Sequence, residues 1–366
     1  MRVSNRFTKR GAAITAVALT AVLGLAACSS DKKSSGGGEG KSCAGKNIGL
    51  VEIVPPSVSP AVGEMEKTAK AAAANLGWNI EVAAADGTPA QMAQVIQTQV
   101  TKGVDAILNV AIQPAAATQS LQAAKTANIP VIGIGAVFDD PNKLLSAVYG
   151  PSEVEMSTAL ATQMKKDYSN GAQALSLNAS AIPSIVERQV TLEKETANTN
   201  IKVAVKHETD LANGPKDTEN AVATNLRANK NINMIWALQD FEITTSLKTI
   251  QSQGLQQAGI YGYYPPPDAF AAMRAWKTGN APIVAADSPI KYSPWYAFDS
   301  LVNKLCLGKS TDWQVKQSEK PLPVKTFVAG STNADNQVPA GDYYDWPAFA
   351  PYFLDKWKNE GVKVTA

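Results

Sequence analysis

From Lys46 onward the chain alternates strand-like and helix-like hydrophobic patterns in two successive runs, which leaves few folds open to it. Asn47 to Val54 is an apolar, β-prone run. Pro60 to Leu76 follows with small and apolar residues at helical spacing, and Gly77 stands where a helix ends in a left-handed residue. Trp78 to Ala85 reads as the second strand, after which Thr88-Pro89 supplies an N-cap and a proline at the first position of a helix that stops at Gly103. Strand Val104 to Val110, helix Pro114 to Ala127, and strands Ile129 to Gly135 and Leu144 to Tyr149 complete the first run. The second run places strands at Ala172 to Asn178, Ile201 to Glu208, Ile232 to Leu238 and Gly259 to Tyr264, with helices at Ile182 to Ala197, Pro215 to Ala228 and Ile243 to Gln253 between them. Such alternation predicts an α/β fold with parallel sheets covered by helices on both faces. A length of 366 residues, against domains of about 100 to 200, and an apolar fraction of 45% suit two such lobes. Ligands of open α/β sheets lie beyond the carboxyl ends of the strands, so two facing lobes predict a binding cleft.

The first 27 residues have a different composition. Arg2, Arg6, Lys9 and Arg10 precede an uncharged, Ala-rich stretch, Gly11 to Ala27, that is short for a membrane span and ends in small residues; residues 1–27 read as a secretion signal. The junction Leu25-Ala26-Ala27-Cys28 resembles the lipobox of bacterial lipoproteins, and that resemblance implies cleavage before Cys28 and lipid on its sulfur and amine, a multi-chain anchor. The alternative is an ordinary cleaved signal followed by an incidental cysteine. Residues 28–45 then form a flexible Ser/Gly/Lys-rich tether containing Gly36-Gly37-Gly38. The body is expected outside the cytoplasm, lipid-anchored to the cell membrane. Loss of the signal with its four basic residues takes the formal net charge from +2 to −2.

Composition and motif spacing exclude several chemistries. Lys+Arg at 34 against Asp+Glu at 32 is too even for a nucleic-acid partner. A single histidine, His207, and three cysteines without a C-x-x-C leave little for metal ligation, so neither metal nor cofactor is expected. Gly133-Ile134-Gly135 lacks the third glycine of a dinucleotide fingerprint, and Gly308-Lys309-Ser310 has Asn303 where a phosphate-binding loop needs glycine. No Gly-x-Ser-x-Gly elbow occurs, and His207, in an alternating strand, reads as solvent-facing with no nucleophile beside it. No catalytic residue is assigned, and the chain is expected not to be an enzyme.

An ordered set of landmarks resembles the type I periplasmic binding proteins of ABC importers, ribose-binding subfamily. They are Val104-Asp105-Ala106-Ile107-Leu108, Ile129-Pro130-Val131-Ile132, Glu187-Arg188, the segment Asn231 to Asp240, and Pro267-Asp268-Ala269 before an apolar helix. The resemblance covers nearly the whole body and rests on the order of the set. It implies two Rossmann-like lobes joined by a three-strand hinge, with crossings near Gly150, near Asp287 and within Leu322 to Ala329. Residues 46–150 and 288–322 would form the first lobe, and 151–287 and 323–366 the second with a C-terminal helical extension. On that assignment Cys43 and Cys306 share the first lobe of an exported protein and are expected to be bonded; two separate thiols are the alternative.

The ligand site departs from the family's pattern. The Asp-Arg pair that ribose-type proteins carry after the Ile-Pro-Val strand falls at Gly135 and Ala136, and a second carboxylate expected after Gly262-Tyr263 falls at Tyr264. The first loop reads Pro55-Pro56-Ser57-Val58-Ser59, so the first-lobe side loses polar groups. A shift of one or two residues would bring Asp139 or Asp140 to the place of Gly135, and Asp268 could stand in at Tyr264. What the resemblance carries over is Arg188, Asp240 in the Gln239-Asp240 pair at a strand end, and Asp287 or its neighbour Ser288. Tyr264 is added as a wall, and Ser57, Gly135 and Asn178 as lining positions. Arginine suits a carboxylate or a vicinal diol, and tyrosine offers a flat apolar face with a polar tip. Arg188 could instead pair with Glu187 or Glu193 on an exposed helix face, Asp240 could cap a helix before Phe241, and Tyr263 and Tyr264 could be core groups.

Near the C-terminus, positions 346, 349, 353 and 357 are aromatic and lie on one face of a helix, expected to dock on the second lobe rather than to cover the ligand; Tyr343, Tyr344 and Tyr352 lie nearby. The expected function is a monomeric, lipid-anchored receptor that hands a small molecule, sugar-like or polyol by resemblance, to an ABC permease. A ligand-sensing receptor that feeds a membrane signalling protein, and a binder of a small carboxylate or aromatic compound, are the alternatives.

Overall fold

Caps written into the sequence set the helix boundaries that frame the cleft. In the computed structural model residues 43–365 are described, except 278, 312, 318–321 and 342–348; the signal segment, Cys28, most of the tether, Tyr343, Tyr344 and Trp346 lie outside the described residues. Strand β1 (Asn47–Glu52) leads to helix α1 (Pro60–Leu76), which opens with proline in its first turn and closes on Gly77 at φ 65°. Strand β2 (Asn79–Ala84) leads to α2 (Pro89–Lys102), where the Thr88 hydroxyl accepts from Gln91 N and Gly103 ends the helix at φ 66°. Strand β3 (Ala106–Val110), a short 3-10 turn at Pro114–Ala116, α3 (Thr118–Thr126), β4 (Val131–Ile134) and β5 (Ala147–Tyr149) follow. These five strands form one parallel sheet in the order β2-β1-β3-β4-β5.

The second lobe opens with α4 (Glu153–Asp167), followed by β6 (Ala172–Asn178), α5 (Pro183–Thr196), β7 (Ile201–Glu208), α6 (Gly214–Ala228), β8 (Ile232–Ala237), α7 (Asp240–Ser252), β9 (Gly259–Tyr263), α8 (Pro267–Ala275) and β10 (Ile283–Asp287). Its sheet runs β11-β10-β9-β8-β6-β7 and is parallel except for β11 (Lys325–Val328), which pairs antiparallel with β10 at the edge. The architecture is the expected α/β arrangement of two sheets of mostly parallel strands. Helix α4 is absent from the sequence reading, although Ser152 caps it by accepting from Glu155 N, and Ser152-x-x-Glu155 is the spacing of a capping box.

After β10 the chain returns to the first lobe. There α9 (Ser293–Leu301), continued by one π-turn at Val302–Cys306, packs against α1 and the first sheet, and a disulfide joins Cys306 to Cys43 with Cα atoms 5.5 Å apart. The C-terminal stretch divides. Arg274 on α8 donates to Pro339 O and Gly341 O, which keeps that part on the second lobe, whereas helix α10 (Phe349–Asn359) crosses back. Trp295 of α9 stacks with Phe353 and Trp357 at centroid distances of 6.1 and 5.7 Å, and Asp299 accepts from Trp357 Nε1 at 2.8 Å and Lys356 Nζ at 2.6 Å. Placing residues 323–366 wholly on the second lobe is therefore corrected: the aromatic face of α10 is complementary to α9, and Thr365 N reaches Asn75 O on α1.

A carboxylate is among the polar groups of the first-lobe core that lack a partner. Glu52, at the end of β1, is fully buried, and neither carboxylate oxygen has a hydrogen bond among the described residues. Burial, helped by the Glu66 charge and opposed by Lys70, pushes its carboxyl up to about 8. The unfolded chain ionises this group near pH 4.5 and the folded one near pH 8, so between those values the folded state holds the extra proton. Stability from this group is full below pH 4.5 and falls as pH rises toward 8. Glu52→Gln should remove that slope, on the order of 1 kcal/mol per pH unit, when denaturation midpoints are measured from pH 5 to 8. An unchanged slope would show that Glu52 ionises normally in the fold.

Candidate binding cleft

A cavity of about 100 Å³ lies between the two lobes, at the carboxyl ends of their strands. Its walls come from the turn and first helix after β1, the ends of β3 and β4, the start of α5, the β8–α7 junction and the residue after β9. Among the proposed residues, Arg188, Gln239, Asp240, Tyr264 and Gly135 line it.

Asp240 joins the lobes. It is the first residue of α7, yet its Oδ2 accepts from Ser59 Oγ at 2.8 Å and Ala61 N at 2.9 Å, both at the N-terminus of α1. Ser59 is the N-cap residue of α1 but does not cap its own helix; Asp240 satisfies that helix end from the opposite lobe. Burial raises the Asp240 carboxyl, while the bonds from Ala61 and Ser59 draw it back. Gln239 and Glu242 form the capping box of α7, with Gln239 N donating to Glu242 Oε2 at 3.0 Å and Gln239 Nε2 to Glu242 Oε1 at 2.9 Å. Gln239 is thereby held to its own helix.

Arg188 is buried on α5 and pairs with neither Glu187 nor Glu193. Its Nε and Nη2 donate to Glu153 of α4 at 2.7 and 2.9 Å, a bidentate pair, and Nη1 donates to Leu238 O. The guanidinium carbon sits 4.8 and 4.9 Å from the ring centres of Tyr263 and Tyr264. Burial alone would lower the Arg188 pKa; the charge and hydrogen bonds of Glu153, together with Tyr264 and Tyr263, outweigh it, and the net shift is upward. Tyr264 OH donates to Glu153 Oε1 at 2.9 Å and Tyr263 OH pairs with Ser157 at 2.6 Å, so both rings are held as packing groups and Tyr264 also walls the cavity. Tyr264 has φ 50°, a left-handed backbone that a bulky side chain adopts only when its surroundings enforce it.

Several expected positions fall elsewhere. Ser57 is exposed in the turn, and Ser59, two residues on, takes the cleft position. Asn178 donates to Glu208 Oε2 at 2.9 Å and is outside the cavity lining, because the end of β6 is tied to the end of β7. Asp287 lines a small adjoining cavity of about 20 Å³ with Tyr264 and Lys291, and burial, opposed by Lys291, pushes its carboxyl up to about 7. The substitute carboxylates stay out of the cavity lining. Asp140 accepts from Leu144 N and Leu145 N, Asp268 bonds Thr244 and Lys248, and neither they nor Asp139 line the cavity. His207 is half-buried against Asp217 at 2.6 Å rather than facing solvent. Among the described residues no His, Cys, Asp and Glu groups gather to hold a metal ion.

The first-lobe wall has been filled with carbon and sulfur. Gly135 has φ 73°, and a Cβ there would lie 2.4 Å from the Met65 sulfur, so the Met65 side chain occupies the space a carboxylate would need. Asn109, at the end of β3, is consumed by bonds to Ile112 N at 2.9 Å and Ile112 O at 2.8 Å that hold Ala111 at φ 62°.

The Arg188–Glu153 pair should govern stability more than ligand charge. Arg188→Met, which strands Glu153, is expected to cost about 3–5 kcal/mol in urea denaturation, and Glu153→Gln added to it should restore most of the loss. A small loss in the single variant would mean that the pair is hydrated and loosely held.

Residues 51–309 match the family described as the periplasmic binding protein domain. No curated protein matches the sequence. Among solved structures, a 5-methylthioribose transporter solute-binding protein from Thermotoga lettingae superposes with a TM-score of 0.70 at 15% identity, covering 85% of this chain and 97% of that one. An ABC sugar transporter subunit from Rhodobacter sphaeroides gives 0.67 at 17%, covering 78% and 99%. A periplasmic ribose ABC transporter protein from Conexibacter woesei gives 0.61 at 17%, covering 80% and 94%. At these identities the superpositions speak for the fold, and the match over residues 51–309 identifies the family: the chain belongs to the periplasmic binding proteins.

Proposed function

We propose that the protein is a lipid-anchored, extracytoplasmic receptor that captures a sugar or polyol between its lobes and presents it to an ABC permease. The observation that carries this reading is the cavity walled from both lobes and clasped by Asp240 on the N-terminus of α1. Closure about the crossing segments would let one ligand contact both walls and so stabilise the closed state. Neutralisation of Arg188 by Glu153 removes the cation that a carboxylated ligand would need, which favours a polyol over the carboxylate alternative. The sequence Leu25-Ala26-Ala27-Cys28 supports anchoring through Cys28. Several solved proteins of this fold are named for sugars or sugar transport, consistent with that ligand class.

A thermal-shift screen against sugars, polyols, nucleosides, amino acids and aromatic acids tests the reading. A ligand at one hundred times its Kd should add about 2.7 kcal/mol, a rise of roughly 5 °C. The expected outcome is a hit among sugars or polyols that weakens in Asp240→Ala. Hits confined to carboxylates or aromatic acids would contradict it, as would silence across every class.

A further inference from the structure

The two walls of the cavity differ in kind. On the first-lobe side the lining side chains include Val62, Met65, Val110 and Ala136, and the one polar side chain there among the described residues, Ser59, already donates to Asp240. The polar groups that line the cavity come from the second lobe. Arg188 uses three of the five N–H groups a guanidinium carries on Glu153 and Leu238, which leaves one on each terminal nitrogen. Asp240 accepts both bonds from α1 through Oδ2, and a carboxylate has further acceptor capacity on Oδ1. A ligand with hydroxyls all round would bury some of them against carbon and the Met65 thioether with nothing to bond, a penalty that a polyol with one apolar end escapes. An anionic ligand would meet Asp240 with the nearby guanidinium already paired to Glu153.

From this division, and resting on the sugar-receptor reading, we infer that the ligand is a neutral monosaccharide in which an apolar substituent replaces one hydroxyl, a deoxy, alkyl or alkylthio sugar. Its remaining hydroxyls bond Arg188 and Asp240. Its apolar end lies against Met65, Val62 and Val110, where a polarisable thioether adapts to an irregular methyl or sulfur group. Gly135 belongs to the same device, since any side chain at that position would evict Met65.

Calorimetric titration of the purified protein with matched pairs tests the inference: D-ribose against 5-methylthio-D-ribose, and D-galactose against its 6-deoxy form D-fucose, with D-ribonate as the anionic control. In the pair whose ring fits, the substituted sugar should bind about tenfold or more tighter than its parent, from the buried apolar group and the relief of an unpaired hydroxyl. D-ribonate should not bind. Met65→Gln, which places an amide on the apolar wall, should shrink that ratio toward one. Parents that bind as tightly as their substituted forms would overturn the inference, as would a ratio that Met65→Gln leaves unchanged or binding of D-ribonate. If no pair member binds while the broader screen finds another sugar or polyol, the ligand class inferred here is wrong and the receptor reading stands; silence in both overturns both.

Discussion

A single carboxylate, Asp240, meets the N-termini of two helices that belong to different lobes. It begins α7 and accepts from Ser59 and Ala61 at the start of α1. Each helix end presents unpaired N–H groups and a partial positive charge, so a buried anion at their meeting point is stabilised from both sides. The position of the cavity follows, because the clasp holds the carboxyl ends of the two sheets face to face. Opening the cleft would leave the start of α1 uncapped and Asp240 to find water, so the closed form has a stabilising contact of its own before any ligand adds to it.

Behind the clasp stands a rigid polar frame. Glu153 accepts from both Arg188 and Tyr264, Arg188 also donates to Leu238 O, and the two tyrosine rings cover the guanidinium. A frame of this kind fixes donors in place at little further entropic loss when a ligand arrives. Its charges cancel internally, so it offers directional hydrogen bonds without a net field for an anion. The facing wall offers shape and apolar contact instead, and the contrast between the walls supports the reading of specificity.

The helix boundaries were open to inspection wherever local chemistry sets them. Pro60 and Gly77, Thr88-Pro89 and Gly103 mark α1 and α2 because caps and prolines act within a few residues. Helix α4 carries the same kind of signal at Ser152 and Glu155, where the chain enters the second lobe. The partners of the site residues are a different matter. Glu153 lies 35 residues before Arg188, and Ser59 lies 181 before Asp240; only the packing of α4 on α5 and of one lobe on the other brings them together. The aromatic face of α10 could be counted from positions 349, 353 and 357, but its docking surface on α9 depends on where the chain crosses, which periodicity does not encode. Ser57 and Ser59 show the same limit at small scale, since two serines of one turn differ only in which faces the cleft.

The distance between spin labels on α3 and α6, one in each lobe, measured by pulsed dipolar spectroscopy in the ligand-free protein and in Asp240→Ala, addresses the clasp most directly. A short-distance population in the unsubstituted protein that gives way to longer distances in Asp240→Ala is the predicted result. Identical distributions in the two would contradict it and would assign lobe closure to something other than Asp240.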